Sequence, residues 1–281
     1  MKIAVLTDST SDITQKNAAQ MGITVVPLYV NFAGQVRKDA IEINAHDIFD
    51  GVKAGTAMPS TSQPTPVDFQ REYERLLQTH DHVVSIHISS KLSGTFNSAE
   101  LAAKDFAGKI TVLDSKAASG ALAMMVERAV QLAATGASFE AISAAISKVS
   151  SLANLRFSVA SLDFLKKNGR IGGAQALLGG LLGIKPILHL VDGKIEAAGR
   201  ERGARAALDN VIKNLREYTT KNGQCRATYV YTDKPDDVEA ARLEGAKLGV
   251  QEFGVIQCGA VISAHVGPGT YGVLTEPINL A

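Results

Sequence analysis

Residues 85–99 read S-I-H-I-S-S-K-L-S-G-T-F-N-S-A, and this stretch decides the fold. Alternating apolar residues around Ile86 and Ile88 predict a strand, and a helical pattern begins near Ser93. The turn between this strand and this helix leaves free backbone N–H groups at the helix start. Ser93 is the expected N-cap, and Gly94 allows another group to approach closely. Helix N-termini attract anions because the unpaired donors and the helix dipole point the same way. The sequence therefore predicts an anion-binding turn here, although a serine in this place can also do no more than cap its own helix.

Length, charge and cysteine content define the class of protein. The chain has 281 residues, enough for two small hydrophobic cores, with 29 basic against 28 acidic side chains. This balance gives no argument for binding nucleic acid or an anionic membrane surface. Cys225 and Cys258 show neither metal nor redox spacing, so we expect both to be reduced. Because we find no signal-peptide pattern and no apolar run of about 18 residues, we expect a cytoplasmic protein without a membrane span.

The order of strand and helix patterns predicts an α/β protein with two domains. Short apolar runs alternate with helical patterns up to about residue 150, which is typical of a doubly wound parallel sheet. Among them, residues 24–31 are predicted to form one strand and residues 117–134 one alanine-rich helix. Further on, Asp192-Gly193 between two apolar runs is a strong hairpin signal, and crossover connections follow it. We therefore expect an N-terminal, Rossmann-like parallel-sheet domain at residues 1–153 and a C-terminal mixed-sheet α/β domain at residues 154–281.

Two hydroxyl-rich segments are candidates for binding loops. Residues 55–66 read G-T-A-M-P-S-T-S-Q-P-T-P, and the prolines predict a stiff, non-helical loop that ends where Thr65 caps a helix beginning at Pro66. The density of hydroxyl groups favours a binding loop over a linker. Residues 8–12, D-S-T-S-D, follow the first predicted strand and should lie at the same sheet edge, where turn chemistry alone is the other interpretation.

Several familiar chemistries fit poorly. Residues 267–272 match G-x-G-x-x-G, but too little chain follows for a dinucleotide-binding unit, and residues 179–186 lack the G-K-[ST] ending of a phosphate loop. The six histidines show no metal-ligand spacing, so no metal is expected. Ser93 with His265 could serve as nucleophile and base, but no G-x-S-x-G elbow surrounds Ser93 and no acidic third member is evident.

Seven short motifs occur in order along nearly the whole chain. They are T-D-S-T-S-D at 7–12, T-S-Q-P at 61–64, I-S-S-K-L-S-G-T-F-N-S-A at 88–99, D-S at 114–115, G-R-I at 169–171, I-K-P-I-L at 184–188 and H-V-G-P-G-T-Y-G at 265–272. Taken together, these motifs resemble those of the DegV family of bacterial fatty-acid-binding proteins. Each motif alone is weak, but the set and its spacing are specific.

The resemblance implies a carrier rather than an enzyme, with no cofactor. Members of the family enclose one long-chain fatty acid between two α/β domains, and some are the binding subunit of a bacterial fatty acid kinase. A separate ATP-dependent subunit then phosphorylates the bound carboxylate, and the acyl phosphate feeds phospholipid synthesis. On this resemblance, residues 1–153 carry the carboxylate-binding loops and residues 154–281 close over the lipid.

The resemblance also implies roles for individual residues. The expected ligand-binding residues are Thr61, Ser62, Ser93, Gly94, Thr95 and His265. Thr61 and Ser93 would hydrogen-bond the carboxylate, and His265 would complete that network. Arg170 and Arg202 would lie near the exposed edge and contact the kinase subunit. Two alternatives stay open: a lipid-binding protein with a transport or sensing role, and a serine acyl hydrolase.

Overall fold

The computed structural model describes residues 1–179 and 183–279, and within them the strands form three sheets. The strands are β1 (Ile3–Asp8), β2 (Thr24–Val26), β3 (Tyr29–Phe32), β4 (Gln35–Lys38), β5 (Ser60–Ser62), β6 (His82–His87), β7 (Ile110–Asp114), β8 (Asn154–Ser158), β9 (Ile184–Val191), β10 (Lys194–Arg202), β11 (Cys225–Tyr231), β12 (Gln251–Gln257) and β13 (Tyr271–Pro277). The helices are α1 (Gln15–Met21), α2 (Ala45–Lys53), α3 (Pro66–Leu77), α4 (Thr95–Ala103), α5 (Gly120–Ala134), α6 (Phe139–Leu152), α7 (Asp163–Lys167), α8 (Ala204–Asn222), α9 (Asp236–Lys247) and α10 (Ala260–Val266). Short 3-10 turns occupy Ser9–Ser11, Lys104–Phe106 and Gly172–Leu177. The glycine-rich stretch 179–186 lies partly outside the described residues.

The first sheet is parallel and confirms the predicted doubly wound pattern. Its strand order is β2-β1-β6-β7, and each neighbouring pair is parallel. The chain passes from β1 to β2 on one side, whereas β6 lies on the other side of β1. Ligands of such sheets bind at this switch point, beyond the carboxyl ends of the strands. The turn after β6, which lies within residues 85–99, is therefore at the place where a ligand is expected.

The second sheet is mixed, as the sequence predicts. Its order is β10-β9-β8-β13-β11-β12, in which β11 and β12 are parallel and the other pairs antiparallel. Asp192 and Gly193 form the β9–β10 turn with φ angles of 47° and 80°, the positive values that a tight hairpin turn requires. The chain is thus an α/β protein with one parallel and one mixed sheet. The boundary between residues 153 and 154 stays a prediction.

A third sheet, antiparallel with the order β4-β3-β5, corrects two predictions. The single strand predicted for residues 24–31 is two strands in different sheets, because Pro27 has no N–H and interrupts the ladder between them. The loop predicted for residues 55–66 contains β5, which pairs with β3. Prolines on both sides of β5 favour extended backbone, so the loop supplies a short edge strand.

Helix starts follow the capping signals at some positions and depart from them at others. Asn44 and Thr65 cap α2 and α3 through reciprocal bonds with an aspartate at the third helical position, and Pro66 opens α3 as predicted. The helix predicted from residue 117 begins instead at Gly120. Ser119, with φ 55° and ψ −142°, lies outside helical geometry and delays the start.

Helix α5 lies between the parallel and the mixed sheet and forms the centre of the core. It contacts β1 and β6 on one side and β11 and β13 on the other. Met124 and Met125 are fully buried. At Gly120 a Cβ atom would lie 2.5 Å from Thr228 Cγ2, so only glycine permits this close approach to the mixed sheet. The largest apolar cluster accordingly combines residues of both sheets around one helix.

A buried ionic network ties α5 to the mixed sheet. Glu276 is fully buried, and its Oε1 accepts from Arg226 Nε at 2.6 Å and from an Arg128 terminal nitrogen at 3.0 Å. Arg226 also donates to Glu127 and, at 2.8 Å, to the carbonyl oxygen of Met124. Each arginine therefore has a charged partner, as buried charges require.

Candidate functional site

A cavity of about 850 Å³, including its opening, lies between the parallel and the mixed sheet. Most of its lining is apolar: Ile88 and Leu92 come from the turn after β6, and Leu155, Phe157 and Leu274 from β8 and β13. Its lining has the composition of small-molecule sites, which are typically apolar with a few convergent polar groups. The cavity begins at the carboxyl edge of the parallel sheet, where the switch-point rule places a ligand.

Four of the predicted functional side chains meet on the wall of this cavity. They are Thr61 from β5, Ser93 from the turn before α4, Arg170 from the segment after α7, and His265 from α10. The four come from separate segments of the chain, so it is the fold that brings them together. Grouped polar side chains on an otherwise apolar wall are a candidate site for a molecule with one polar end.

Thr61 and His265 form the central polar contact of the site. Thr61 Oγ1 lies 2.8 Å from His265 Nε2, across 204 residues of sequence. Burial, and then the positive charge of Arg170, lower the pKa of His265 to about 4. His265 is therefore neutral at pH 7 and acts as a hydrogen-bonding group rather than as a cation. Its Nδ1 atom is buried and has no hydrogen-bond partner among the described residues.

The turn around Ser93 differs from the prediction in its capping. Helix α4 begins at Thr95 with Gly94 as its N-cap, so the assignment of Ser93 as N-cap is wrong. Ser93 lies one residue further out, where its Oγ accepts from Thr95 N at 3.3 Å and lies 2.8 Å from Thr95 Oγ1. The close approach predicted at Gly94 is made by Gln63, since a Cβ on Gly94 would lie 2.0 Å from Gln63 Oε1. Gln63 also donates to Ser98 Oγ at 2.9 Å, which fastens the β5 loop to α4.

Other predicted site residues lie outside the cavity wall. Ser62 is exposed and, as the strand neighbour of Thr61, points to the opposite face. Thr95 is buried behind Ser93 and reaches the site only through it. Arg202 is exposed at the end of β10. Arg170 does lie on the wall but is also exposed, and it donates to the carbonyl oxygens of Leu92, at 3.0 Å, and Asn168, at 2.7 Å. The roles of these residues stay predictions.

The hydrogen bonds of a hydrolytic triad are not formed among the described residues. The side-chain partner of Ser93 is Thr95, that of His265 is Thr61, and no carboxylate contacts His265 Nδ1. A triad needs the serine on one ring nitrogen and an acidic group on the other. This geometry does not favour the hydrolase alternative.

Two aspartates that the sequence did not single out individually bind the start of α10. Asp12 Oδ1 accepts from Gly259 N at 2.8 Å, and Asp39 Oδ1 accepts from Ala260 N at 2.9 Å and Val261 N at 3.3 Å. Loss of solvation raises the pKa of Asp12 to about 8 and that of Asp39 to about 6. Asp12 belongs to a motif that the sequence did show. Asp39 follows β4 without any local pattern, and its partners are more than 200 residues away.

Cys258 also lines the cavity, and burial raises the pKa of its thiol, so it is a neutral part of the wall. Cys225 is buried as well, and neither cysteine forms a disulfide bond. Within residues 1–179 and 183–279 no helix has the length and hydropathy to cross a membrane. The same residues contain no group of three or more potential metal ligands.

Comparison with known proteins gives one family over the whole chain. A family model described as an uncharacterised protein of the DegV family matches residues 2–277. A DegV domain-containing protein of Deinococcus radiodurans is 44% identical over 280 residues, which cover 99% of this chain and 100% of that protein.

Solved structures with the same fold include proteins that bind fatty acids. A DegV family protein from Thermus thermophilus, described by its fatty acid binding, superposes with a TM-score of 0.95 at 47% identity and covers 99% of this chain and 100% of its own. A stearic-acid-binding protein from Eubacterium ventriosum has a TM-score of 0.89 at 25% identity, with 98% of each chain covered. These proteins resemble the present chain along its full length.

Proposed function

Because the chain belongs to the DegV family, we propose that it binds one long-chain fatty acid in the cavity and presents the carboxylate to a separate ATP-dependent kinase subunit. The kinase forms an acyl phosphate that enters phospholipid synthesis, and its need for ATP places the reaction in the cytoplasm. One observation carries the proposal: Thr61, Ser93, Arg170 and His265 converge on a cavity that is otherwise almost wholly apolar.

The apolar wall accounts for most of the affinity. About ten tail methylenes at ~0.8 kcal/mol each give roughly 8 kcal/mol of gross stabilisation. A hydrogen bond to a charged group adds only about 1.5 to 3 kcal/mol. The tail therefore retains the lipid, and the polar side chains determine where its reactive end lies.

The polar end suits a carboxylate that must later react. Thr61 and Ser93 offer hydroxyl donors, and neutral His265 orients Thr61 through their 2.8 Å contact. Arg170 supplies positive charge at the wall, but it is exposed and already donates to two carbonyl oxygens. The carboxylate is thus held without a fully buried ion pair, which would be costly to separate when the kinase acts.

The proposal predicts that the purified protein carries fatty acid. Mass spectrometry of an organic extract from denatured protein should find close to one fatty acid per chain. A well-folded sample without lipid, which also fails to take up added stearic acid, would contradict fatty acid binding. Bound lipid without any coupling to an ATP-dependent kinase would instead favour a transport or sensing role. Arg170 and Arg202, both exposed, are the proposed partner contacts, and loss of Arg202, which lies outside the cavity wall, should affect that coupling alone.

Replacing Ser93 with alanine should separate lipid retention from phosphorylation. Lipid content should stay near the wild-type value because the tail contacts remain, whereas acyl-phosphate formation should fall about tenfold or more because the carboxylate is no longer fixed. Acyl phosphate formed with the cognate kinase and lipid per chain are measured on the same preparation. Ser60→Ala is the matched control, since this exposed hydroxyl on β5 lies outside the cavity wall and is not among the expected ligand-binding residues. Equal losses of lipid and product would contradict the proposed division of roles.

A further inference from the structure

We propose that Asp12 and Asp39 are positioning residues for the carboxylate site, because they fix the helix that carries His265. This inference rests on the proposed function. It gives a role to the last residue of the T-D-S-T-S-D motif and to an aspartate that lies in no motif.

The aspartates bind the first backbone N–H groups of α10. These groups have no partner within the helix, and Gly259, the N-cap, supplies no side chain. The missing side chain also makes room, since a Cβ on Gly259 would lie 3.1 Å from Asp12 Oδ1 and 3.3 Å from Asp39 Oδ1. Two side chains from the first 40 residues therefore replace a local cap on a helix near the end of the chain.

Each aspartate is itself held by a serine. Ser9 Oγ donates to Asp39 Oδ2 at 2.7 Å, and Ser119 Oγ lies 2.5 Å from Asp12 Oδ2. Asp39 is only 1% exposed, so water cannot take the place of its partners. Both carboxyl groups are thus anchors of fixed position rather than mobile surface charges.

The anchored helix forms one wall of the site. Val261, Ile262, His265 and Val266 line the cavity. The far end of α10 is also held, because Asn168 Nδ2 donates to the carbonyl oxygen of Ala264 at 2.9 Å. With both ends of α10 fixed, His265 contacts Thr61. When the aspartates no longer hold the start of the helix, the helix can shift and this contact is weakened. Binding of the head group is then weakened more than binding of the tail, because hydrogen bonds depend more steeply on distance and angle than apolar contacts do.

The test compares two ligands with the same tail. The dissociation constants of stearic acid and of stearyl alcohol are measured for each variant, and their ratio reports head-group recognition alone. In Asp39→Ala and Asp12→Ala the preference for the acid should fall about tenfold, with binding of the alcohol changed less than about threefold. Asp39→Asn should restore the preference, because its amide oxygen still accepts from the helix. Asp192→Ala is the control, since Asp192 joins Lys116 at 2.6 Å and does not touch α10.

Folded Asp39→Ala protein with an unchanged ratio, or with equal losses for both ligands, would overturn the positioning role. If Asp39→Ala does not fold, Ser9→Ala replaces it, because it removes only the bond that orients Asp39; about a threefold fall in preference is expected, and no fall would overturn the inference. Wild-type protein that binds neither ligand would contradict the proposed function itself. A preference for the acid that is present in the wild type and kept in the variants would contradict only the positioning role.

Discussion

Val230→Trp is expected to lower the affinity for stearic acid by about a thousandfold or more. Val230 lies on β11, is 5% exposed and lines the cavity. An indole in that place occupies space that the tail needs. Excluding about five methylenes at ~0.8 kcal/mol each removes roughly 4 kcal/mol, which corresponds to about three orders of magnitude in affinity. Titration with stearic acid and analysis of the co-purified lipid measure the loss.

The control for this prediction is Val36→Trp. Val36 on β4 is 65% exposed and lies outside the cavity, so the same exchange of side chains should leave stearic acid binding unchanged. Thermal unfolding of both variants tests whether the fold is kept, since Val230 also belongs to the core. Wild-type affinity in Val230→Trp would mean that the lipid binds elsewhere on the molecule.

Glu276→Gln should reduce the free energy of unfolding by about 3 to 5 kcal/mol. The substitution keeps the shape of the side chain but removes the negative charge shared by Arg226 and Arg128. Arg226 retains Glu127, whereas Arg128 loses its charged partner. A charge left uncompensated in a buried place costs far more than an ion pair in water contributes. Denaturant unfolding measured by circular dichroism gives the difference.

Glu244→Gln is the matched control for the buried network. Glu244 pairs with Arg216 and Lys247, both of which are well exposed, so the same chemical change should cost at most about 1 kcal/mol. Similar losses in the two variants would show that the network around Glu276 stabilises the protein no more than a surface ion pair does.

Local chemistry explains which parts of the fold could be predicted. The Asp192-Gly193 turn and the Thr65 cap depend on neighbouring residues, and both are found where expected. The division of residues 24–31 was missed because it depends on which sheet each half joins. Pro27 was the available signal. The pairing of β5 with β3 likewise depends on a partner about 30 residues away.

The candidate site was predictable in composition but not in geometry. The motif resemblance named Thr61, Ser93, Arg170 and His265, and the fold places all four on one cavity. No spacing in the sequence could show that Thr61 contacts His265, since more than 200 residues separate them. Asp39 was missed for the same reason, because its bonds to α10 exist only after distant segments have come together.

The location of α5 limits how the cavity can open. The helix shares one apolar cluster with Val5 and Ile86 of the parallel sheet and with Val230 and Leu274 of the mixed sheet. Separating the parallel sheet from the mixed sheet would expose that whole cluster to water, and the free-energy cost would be comparable to that of global unfolding. A ligand must therefore pass through local displacements of the segments around the cavity, and the rate of exchange is set by those segments rather than by a hinge between two independent halves. The same helix thus joins the two sheets through one shared apolar cluster, beside the smaller clusters that each sheet has of its own.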